Sequence, residues 1–114
     1  MSIIKSFKDA INGIINTVPT ERNLKIQVTA MVCVIAAGLA VKLSDMEWVV
    51  CIILFGLVIS AELFNTALEK TLDYINEEHD EKIKFIKDAS AGAVLALAVA
   101  STVVGLIIFI PKLI

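Results

Sequence analysis

The chain has 114 residues and a formal net charge of −2 at pH 7, with 58% hydrophobic and 19% charged residues. A soluble globular domain averages about 45–50% apolar and about 25% charged residues, so this composition excludes an ordinary soluble enzyme and a disordered tail and indicates a membrane protein. A nucleic-acid-binding surface is usually a basic stripe, and the acidic balance therefore predicts no nucleic-acid partner. The length allows a single domain, expected over residues 1–114.

The first 18 residues predict an amphipathic helix that lies on a membrane surface. Large apolar residues recur at helical spacing, and polar or charged residues fill the gaps between them. The apolar set is Ile3, Ile4, Phe7, Ile11, Ile14 and Ile15. Because a helix with this many charges does not span a bilayer, we expect it in the interface. Pro19 ends this helix, and Thr20 is the expected N-cap of the next one.

Three apolar stretches predict transmembrane helices. A span needs about 20 predominantly apolar residues, and the second uncharged run reaches that length only if its helix continues through Glu62. The uncharged runs cover residues 26–41, 48–61 and 89–111. The expected transmembrane spans are longer and cover residues 21–43, 47–75 and 84–111. The expected connections are a tight turn at 44–47 and a polar loop at 76–81. The predicted fold class is an all-α membrane protein with one surface helix and three transmembrane helices.

The basic residues predict the orientation. Eight lysine and arginine residues lie on the side of the N-terminus and the second loop, whereas Lys42 and Lys112 lie on the other side. Since the cytoplasmic segments of membrane proteins are enriched in lysine and arginine, we expect the N-terminal helix and the second loop in the cytoplasm.

The second span carries a polar face. Glu62, Asn65, Glu69 and Asp73 fall within roughly 80° of arc on a helix, and an intramembrane carboxylate costs about 2.5–3.5 kcal/mol on insertion. Several of them on one face indicate a function or a set of counter-charges. Three interpretations remain open: ion pairs that fix helix packing, a proton or cation pathway, and a metal site. Carboxylates with an amide suit Mg²⁺, which takes oxygen ligands and keeps several waters.

Residues at the starts of the other two spans extend this polar face. Glu21 begins the first span at the expected depth of Glu69, and Lys87 and Asp88 open the third span at the same level. Lysine, carboxylates and Mg²⁺ together favour phosphate chemistry, in which catalysis is mainly positioning and charge neutralisation. The sequence contains no GxxxxGK[ST] loop and no HRD or DFG element, so neither common kinase scaffold is predicted.

Three segments resemble signatures of the prokaryotic integral-membrane diacylglycerol kinase family, which includes the undecaprenol kinases. The segment ELFNTALEKTLD at 62–73 is similar to the signature E-x-x-N-[ST]-A-[IL]-E-x-x-x-D. The segment KDASAGAVL at 87–95 is similar to K-D-x-[AGS]-[AS]-[AG]-A-V-L, and ERN at 21–23 is similar to the opening of the first span in the Gram-positive branch. The segments occur in the family's order and cover nearly the whole chain.

This resemblance implies an ATP-dependent kinase that phosphorylates a lipid alcohol at the cytoplasmic face of the bacterial plasma membrane. By the family's pattern, Glu62 is the general base on the lipid hydroxyl, and Glu21 and Glu69 are ligands of Mg²⁺. The positions that match contacts to nucleotide and phosphates are Asn65, Asp73, Lys87 and Asp88. The resemblance also implies a homotrimer with sites shared between protomers. The Gram-positive features favour undecaprenol as the substrate, with diacylglycerol as the other candidate.

Two other functions remain open from the residues alone. A small ion- or proton-coupled transporter or channel subunit would use Glu62 and Glu69 as relay carboxylates, although a relay needs neither Asn65 nor the pair of Lys87 and Asp88. A non-catalytic assembly subunit held together by polar helix packing would tolerate glutamine in place of the glutamates.

Overall fold

The computed structural model describes residues 2–75 and 80–114, and every regular element in these ranges is helical. The elements in chain order are α1 (Ile3–Thr17), a 3₁₀ turn (Val18–Thr20), α2 (Arg22–Val41), α3 (Asp45–Ile75) and α4 (Glu81–Leu113). The last three are each long and apolar enough to cross a membrane. The predicted all-α class with three long apolar helices is therefore confirmed, while most of the predicted loop at 76–81 lies outside the described residues.

The N-terminal helix α1 contributes nothing to a buried core. Ser2 caps its first turn, since the Ser2 side-chain oxygen accepts a hydrogen bond from the Lys5 N–H at 3.1 Å. None of the residues of α1 is buried, and its whole apolar row is exposed, including Ile4 and Phe7. The position of this helix at a membrane surface stays a prediction.

The turn between α1 and α2 shows that the predicted cap at Thr20 is wrong. Pro19 lies at the start of the 3₁₀ turn, where its missing N–H is not needed. The Thr20 hydroxyl donates to the Thr17 carbonyl at 2.8 Å and is therefore engaged within the turn. Glu21 occupies the N-cap position and makes no capping hydrogen bond through its side chain, which leaves the carboxylate for tertiary contacts.

The link between α2 and α3 is shorter than the predicted turn at 44–47. Lys42 closes α2 in the left-handed conformation, with φ of 58°, and its N–H donates to the Gly38 carbonyl, as is usual at helix C-termini. Ser44 then starts α3: its hydroxyl accepts from the Glu47 N–H at 3.2 Å, and its own N–H donates to Glu47 Oε1 at 2.9 Å. Because this reciprocal capping satisfies the orphan donors of a helix start, the three residues after Ser44 form the first turn of α3.

Helices α2 and α4 both pack against α3. Helices α3 and α4 are antiparallel and are joined by an ion pair near each end. Lys87 Nζ lies 2.6 Å from Asp73 Oδ1, and Lys112 Nζ lies 3.0 Å from Glu47 Oε1. These two pairs are consistent with a single axial register of α4 on α3.

Candidate functional site

The buried part of the polar face lies on α3. Five residues of this helix are buried, and three of them are polar: Glu62, Asn65 and Thr66. Glu62 is 3% exposed and Asn65 is 7% exposed, whereas Glu69 is partly exposed and Asp73 is exposed. The predicted face therefore passes from the protein interior to its surface. A carboxylate is almost never fully buried without a partner, so the surroundings of Glu62 are decisive.

Helix α2 supplies the partner of Glu62. Gln27 Nε2 donates a hydrogen bond to Glu62 Oε2 at 3.4 Å. The other amide atom, Gln27 Oε1, is buried and has no hydrogen-bond partner among the described residues. Because a carboxylate has two oxygens that accept, a donor on Oε2 leaves the other oxygen of Glu62 to accept a proton.

Asn65 holds the next carboxylate along α3. Asn65 Nδ2 donates to Glu69 Oε1 at 3.2 Å, while Asn65 Oδ1 is buried without a hydrogen-bond partner in the part of the chain that is described. The great majority of buried polar atoms in proteins are hydrogen-bonded. An orphaned oxygen beside a carboxylate is therefore a place where a donor or a cation can bind.

Glu21 reaches the same end of the bundle from the start of α2. Its Oε1 lies 3.7 Å from Lys70 Nζ of α3, in a long and partly exposed ion pair that contributes little energy. Glu62 lies close enough to Glu21 and Glu69 to be repelled by both charges. The structure thus brings the charges of Glu21 and Glu69 within electrostatic range of Glu62.

Helix α4 contributes Lys87 and Asp88, which have different partners. Lys87 pairs with Asp73 across the interface of α3 and α4 at 2.6 Å. Asp88 pairs with Lys84, one turn earlier on its own helix, also at 2.6 Å, and both side chains are largely exposed. The structure therefore brings Lys87 and Asp73 together and engages Asp88 within α4.

The oxygen atoms of this neighbourhood fit Mg²⁺. Within residues 2–75 and 80–114, no three Asp, Glu, His or Cys side chains lie close enough to form a complete metal site. Mg²⁺ does not require one, because it is usually held by one or two carboxylates together with waters and substrate phosphates. Glu21 and Glu69 are the predicted ligands, and the unpartnered oxygen of Asn65 lies beside Glu69.

Gln27 is the site residue that sequence reasoning missed. It lies inside the uncharged run 26–41, and a neutral amide does not interrupt such a run. The available signal is its spacing from Asn23, because residues four apart share one face of a helix. Gln27 therefore continues the polar start of α2 into the apolar part of the helix.

Together these features define a membrane protein whose polar site is built from the long helices themselves. A buried carboxylate with an interhelical donor lies next to two more acidic residues, and an ion pair between helices lies further along the same face. These titratable and hydrogen-bonding groups lie next to the apolar part of the helices.

Comparison with known proteins identifies the family. The family model described as prokaryotic diacylglycerol kinase matches residues 8–109. The chain is 46% identical over 109 residues to the undecaprenol kinase of Bacillus subtilis. This alignment covers 96% of the present chain and 89% of the Bacillus protein. The chain is also 34% identical over 113 residues to a diacylglycerol kinase of Synechocystis sp.. That alignment covers 98% of the present chain and 65% of the Synechocystis protein. The chain belongs to the prokaryotic diacylglycerol kinase family and is a lipid kinase.

The resemblance noted in the three sequence segments is thereby confirmed. Family membership does not favour the transporter or channel subunit as an alternative. The roles of the individual site residues stay predictions.

Proposed function

We propose that the chain is an ATP- and Mg²⁺-dependent kinase that phosphorylates the hydroxyl of a membrane lipid alcohol at the cytoplasmic face of the bacterial plasma membrane. The observation that carries the proposal is the burial of Glu62 in α3 with Gln27 as its hydrogen-bond donor. Undecaprenol is the favoured substrate, because the identity to the undecaprenol kinase is 46%, against 34% to the diacylglycerol kinase. Diacylglycerol is the second candidate.

Glu62 is the proposed general base. It accepts the proton of the lipid hydroxyl while the hydroxyl oxygen forms a bond to the terminal phosphorus of ATP. The bond between that phosphorus and the bridging oxygen breaks, and ADP leaves with the electron pair. Gln27 donates to Oε2 of Glu62, and Oε1 is the oxygen that we propose takes the proton. A positioned base of this kind contributes typically about 10²–10⁴-fold to the rate.

Glu21 and Glu69 would hold Mg²⁺, and Asn65 would support them. Asn65 orients Glu69 through the 3.2 Å hydrogen bond and offers its own unpartnered oxygen. When bound, Mg²⁺ neutralises negative charge that develops on the phosphates. The same cation would relieve the repulsion that Glu62 experiences from Glu69 and Glu21.

The proposed contacts to nucleotide and phosphates are Asn65, Asp73, Lys87 and Asp88. Lys87 is partly exposed in its pair with Asp73, so the phosphates of ATP can compete with Asp73 for the ammonium group. Asp88 and its partner Lys84 are largely exposed and can rearrange at little cost, because exposed ion pairs are weak.

The proposal also covers the arrangement in the membrane. Residues 1–114 form one membrane domain, with the amphipathic helix 1–18 on the surface and spans over 21–43, 47–75 and 84–111. The N-terminus is in the cytoplasm. Active sites are shared between the protomers of a homotrimer, as the resemblance to the family implies.

The test is phosphate transfer by the purified protein in detergent micelles. Radiolabelled ATP with Mg²⁺ is supplied with undecaprenol or with diacylglycerol, and the labelled lipid is quantified. We expect transfer to undecaprenol at the higher kcat/KM and a loss of at least about 100-fold in kcat for Glu62→Gln. The matched control is Glu81→Gln, an exposed acidic residue in the first turn of α4. The proposal fails if the wild-type protein labels neither lipid, or if both variants retain full activity.

A further inference from the structure

Lys70 is a cation at the candidate site that the proposed mechanism does not use. It follows Glu69 directly on α3, and its Nζ lies 3.7 Å from Glu21 Oε1 at the start of α2. Among the described residues, no other lysine or arginine forms an ion pair with Glu21. Lys70 is therefore the counter-charge of a carboxylate that is a predicted ligand of Mg²⁺.

The carboxylate of Glu21 has little else to hold it. Glu21 is the N-cap residue of α2, but its side chain makes no capping hydrogen bond, and 29% of that side chain is exposed. A cation that arrives from water therefore meets Lys70 as its competitor for this carboxylate. Because an exposed ion pair is worth little, a divalent cation can displace the ammonium group.

The Lys70 side chain is free to move to another partner. It is 62% exposed, and a lysine ammonium is a compact charge on a flexible four-carbon stem. Lys70 lies three residues before Asp73, and residues three apart are neighbours on a helix surface. Since Asp73 holds Lys87 at 2.6 Å, two ammonium groups lie at the same end of α3, each paired with a carboxylate. The phosphate chain of ATP carries several negative charges and can attract both groups.

A purely structural role for the Glu21 and Lys70 pair would be to hold α2 on α3. These two helices are already joined by the hydrogen bond from Gln27 to the buried Glu62. The ion pair is long and exposed, so it adds little to their packing. Its position, between a predicted metal ligand and the predicted phosphate contacts, favours a role in ligand binding.

We infer that Lys70 is a nucleotide-binding residue that exchanges partners: its ammonium group neutralises Glu21 while neither ligand is bound, and it moves to the phosphates of ATP when Glu21 takes Mg²⁺. The inference rests on the proposed kinase function and adds a residue that couples metal binding to nucleotide binding. When the phosphates draw Lys70 away, Glu21 is released for the metal, and linkage requires the reverse effect to be equally large.

The exchange of partners predicts opposite effects on the two ligands. Lys70→Met removes the competitor for Glu21, so Mn²⁺, the probe for Mg²⁺, should bind about three- to fivefold more tightly without nucleotide, which is the scale of an exposed ion pair. The same substitution removes an ammonium group from the phosphates, so ATP in the presence of EDTA should bind about three- to tenfold more weakly. Loss of a merely structural contact would not strengthen the binding of either ligand.

The measurements are made on the full chain in detergent micelles at fixed ionic strength. Free Mn²⁺ is quantified by electron paramagnetic resonance, and ATP binding is measured by displacement of trinitrophenyl-ATP. Lys70→Arg keeps the charge and should restore both dissociation constants to about their wild-type values. Lys70→Gln provides the same comparison if Lys70→Met is not stable in detergent.

Lys25→Met is the matched control for the loss of a positive charge. Lys25 is exposed, lies one turn after Glu21 on α2, and forms no ion pair within the part of the chain that is described. Its substitution should change each dissociation constant by about twofold or less, since it removes only a solvated charge. A change as large as that in Lys70→Met would assign the effect to net charge and overturn the inference.

A double-mutant cycle tests the exchange itself. Glu21→Gln releases Lys70, so ATP in EDTA should bind about threefold more tightly than to the wild type. When Lys70→Met is already present, Glu21→Gln should give about half of this gain or less, because no ammonium group is left to release. Equal gains in the two backgrounds would show that the two residues act independently on the nucleotide, and the inference would be wrong.

The outcomes separate the inference from the proposed function. If the wild-type protein phosphorylates neither undecaprenol nor diacylglycerol, the proposed function fails and the inference fails with it. If the wild type is active but Glu21→Gln binds Mn²⁺ as tightly as the wild type, Glu21 is not a metal ligand and Lys70 has no metal to compete with. If Glu21→Gln weakens Mn²⁺ binding while Lys70→Met binds both ligands like the wild type, the inference alone is overturned.

Discussion

The side-chain amide of Gln27 on α2 donates to the Oε2 atom of the buried Glu62 on α3, at 3.4 Å. This hydrogen bond joins two spans at the point where the site enters the apolar part of the bundle. It supports a buried carboxylate and orients it between the two helices.

Gln27→Leu is expected to lower kcat by about 10- to 100-fold, because a hydrogen bond to a charged group is worth about 1.5–3 kcal/mol. The KM for ATP should stay unchanged, since Gln27 lies at the lipid end of the site. Steady-state kinetics in micelles provide the measurement. The control is Thr29→Val on the same helix, where the exposed hydroxyl only bonds to the Lys25 carbonyl. Wild-type kcat in Gln27→Leu would contradict the role given to this residue.

Asn65→Leu is expected to raise the Mg²⁺ concentration for half-maximal activity by about tenfold, because the hydrogen bond that orients Glu69 is lost. Titration of activity with Mg²⁺ at saturating ATP measures the effect. Thr71→Val, at an exposed position of α3 where the hydroxyl bonds within the helix, should leave the Mg²⁺ titration unchanged. A drop in kcat with no change in the Mg²⁺ requirement would assign Asn65 to another step.

Exchanging Asp73 and Lys87 distinguishes a structural ion pair from phosphate contacts. The double variant Asp73→Lys with Lys87→Asp restores the attraction between α3 and α4, so we expect wild-type thermal stability, given that an exposed pair is worth at most about 1 kcal/mol. The kcat/KM for ATP should remain reduced, because the ammonium group is on the wrong helix. Recovery of activity in the double variant would support helix packing as the only role of the pair.

The control for this exchange is the Lys5 and Asp9 pair on α1, with its atoms 3.4 Å apart and both side chains exposed. Exchanging these two residues should alter neither the melting temperature nor the kcat/KM for ATP. Thermal unfolding in detergent and steady-state kinetics are measured on the same preparations.

Gly38→Ala is expected to destabilise the protein by about 1–3 kcal/mol through overpacking. A Cβ atom at this position would lie 2.8 Å from Leu43 Cδ1 and 2.8 Å from the Trp48 ring, where the chain turns from α2 into α3. Gly56→Ala, with open space around its Cβ, should change stability much less. The melting temperatures of the two variants in detergent provide the comparison, and equal values would show that Trp48 and Leu43 move aside freely.

Much of the site could be predicted from one helix. Glu62, Asn65, Glu69 and Asp73 share a face because helical periodicity is local, and the structure reproduces that face with the burial falling off along it. Gln27 could not be assigned in the same way, because its role depends on which face of α2 packs against α3. Periodicity within a single helix contains no information about that rotation.

The errors in the prediction arose where two local signals competed. Pro19 and Thr20 both indicate a helix boundary, but the 3₁₀ turn uses the threonine hydroxyl internally and shifts the cap to Glu21. In the same way, Ser44 and Glu47 resemble turn residues in sequence, and their reciprocal hydrogen bonds make them the start of α3 instead.

Helix α3 runs without interruption from Asp45 to Ile75, and this continuity restricts how the sequence can change. Glu62 and Asp73 are separated by about 16 Å of rigid rod and share one side of it. Inserting a single residue between them would turn everything beyond it by about 100° and move Asp73 away from Lys87. Length variants within this segment should therefore be inactive even when they fold, whereas point substitutions on its outward side should be tolerated.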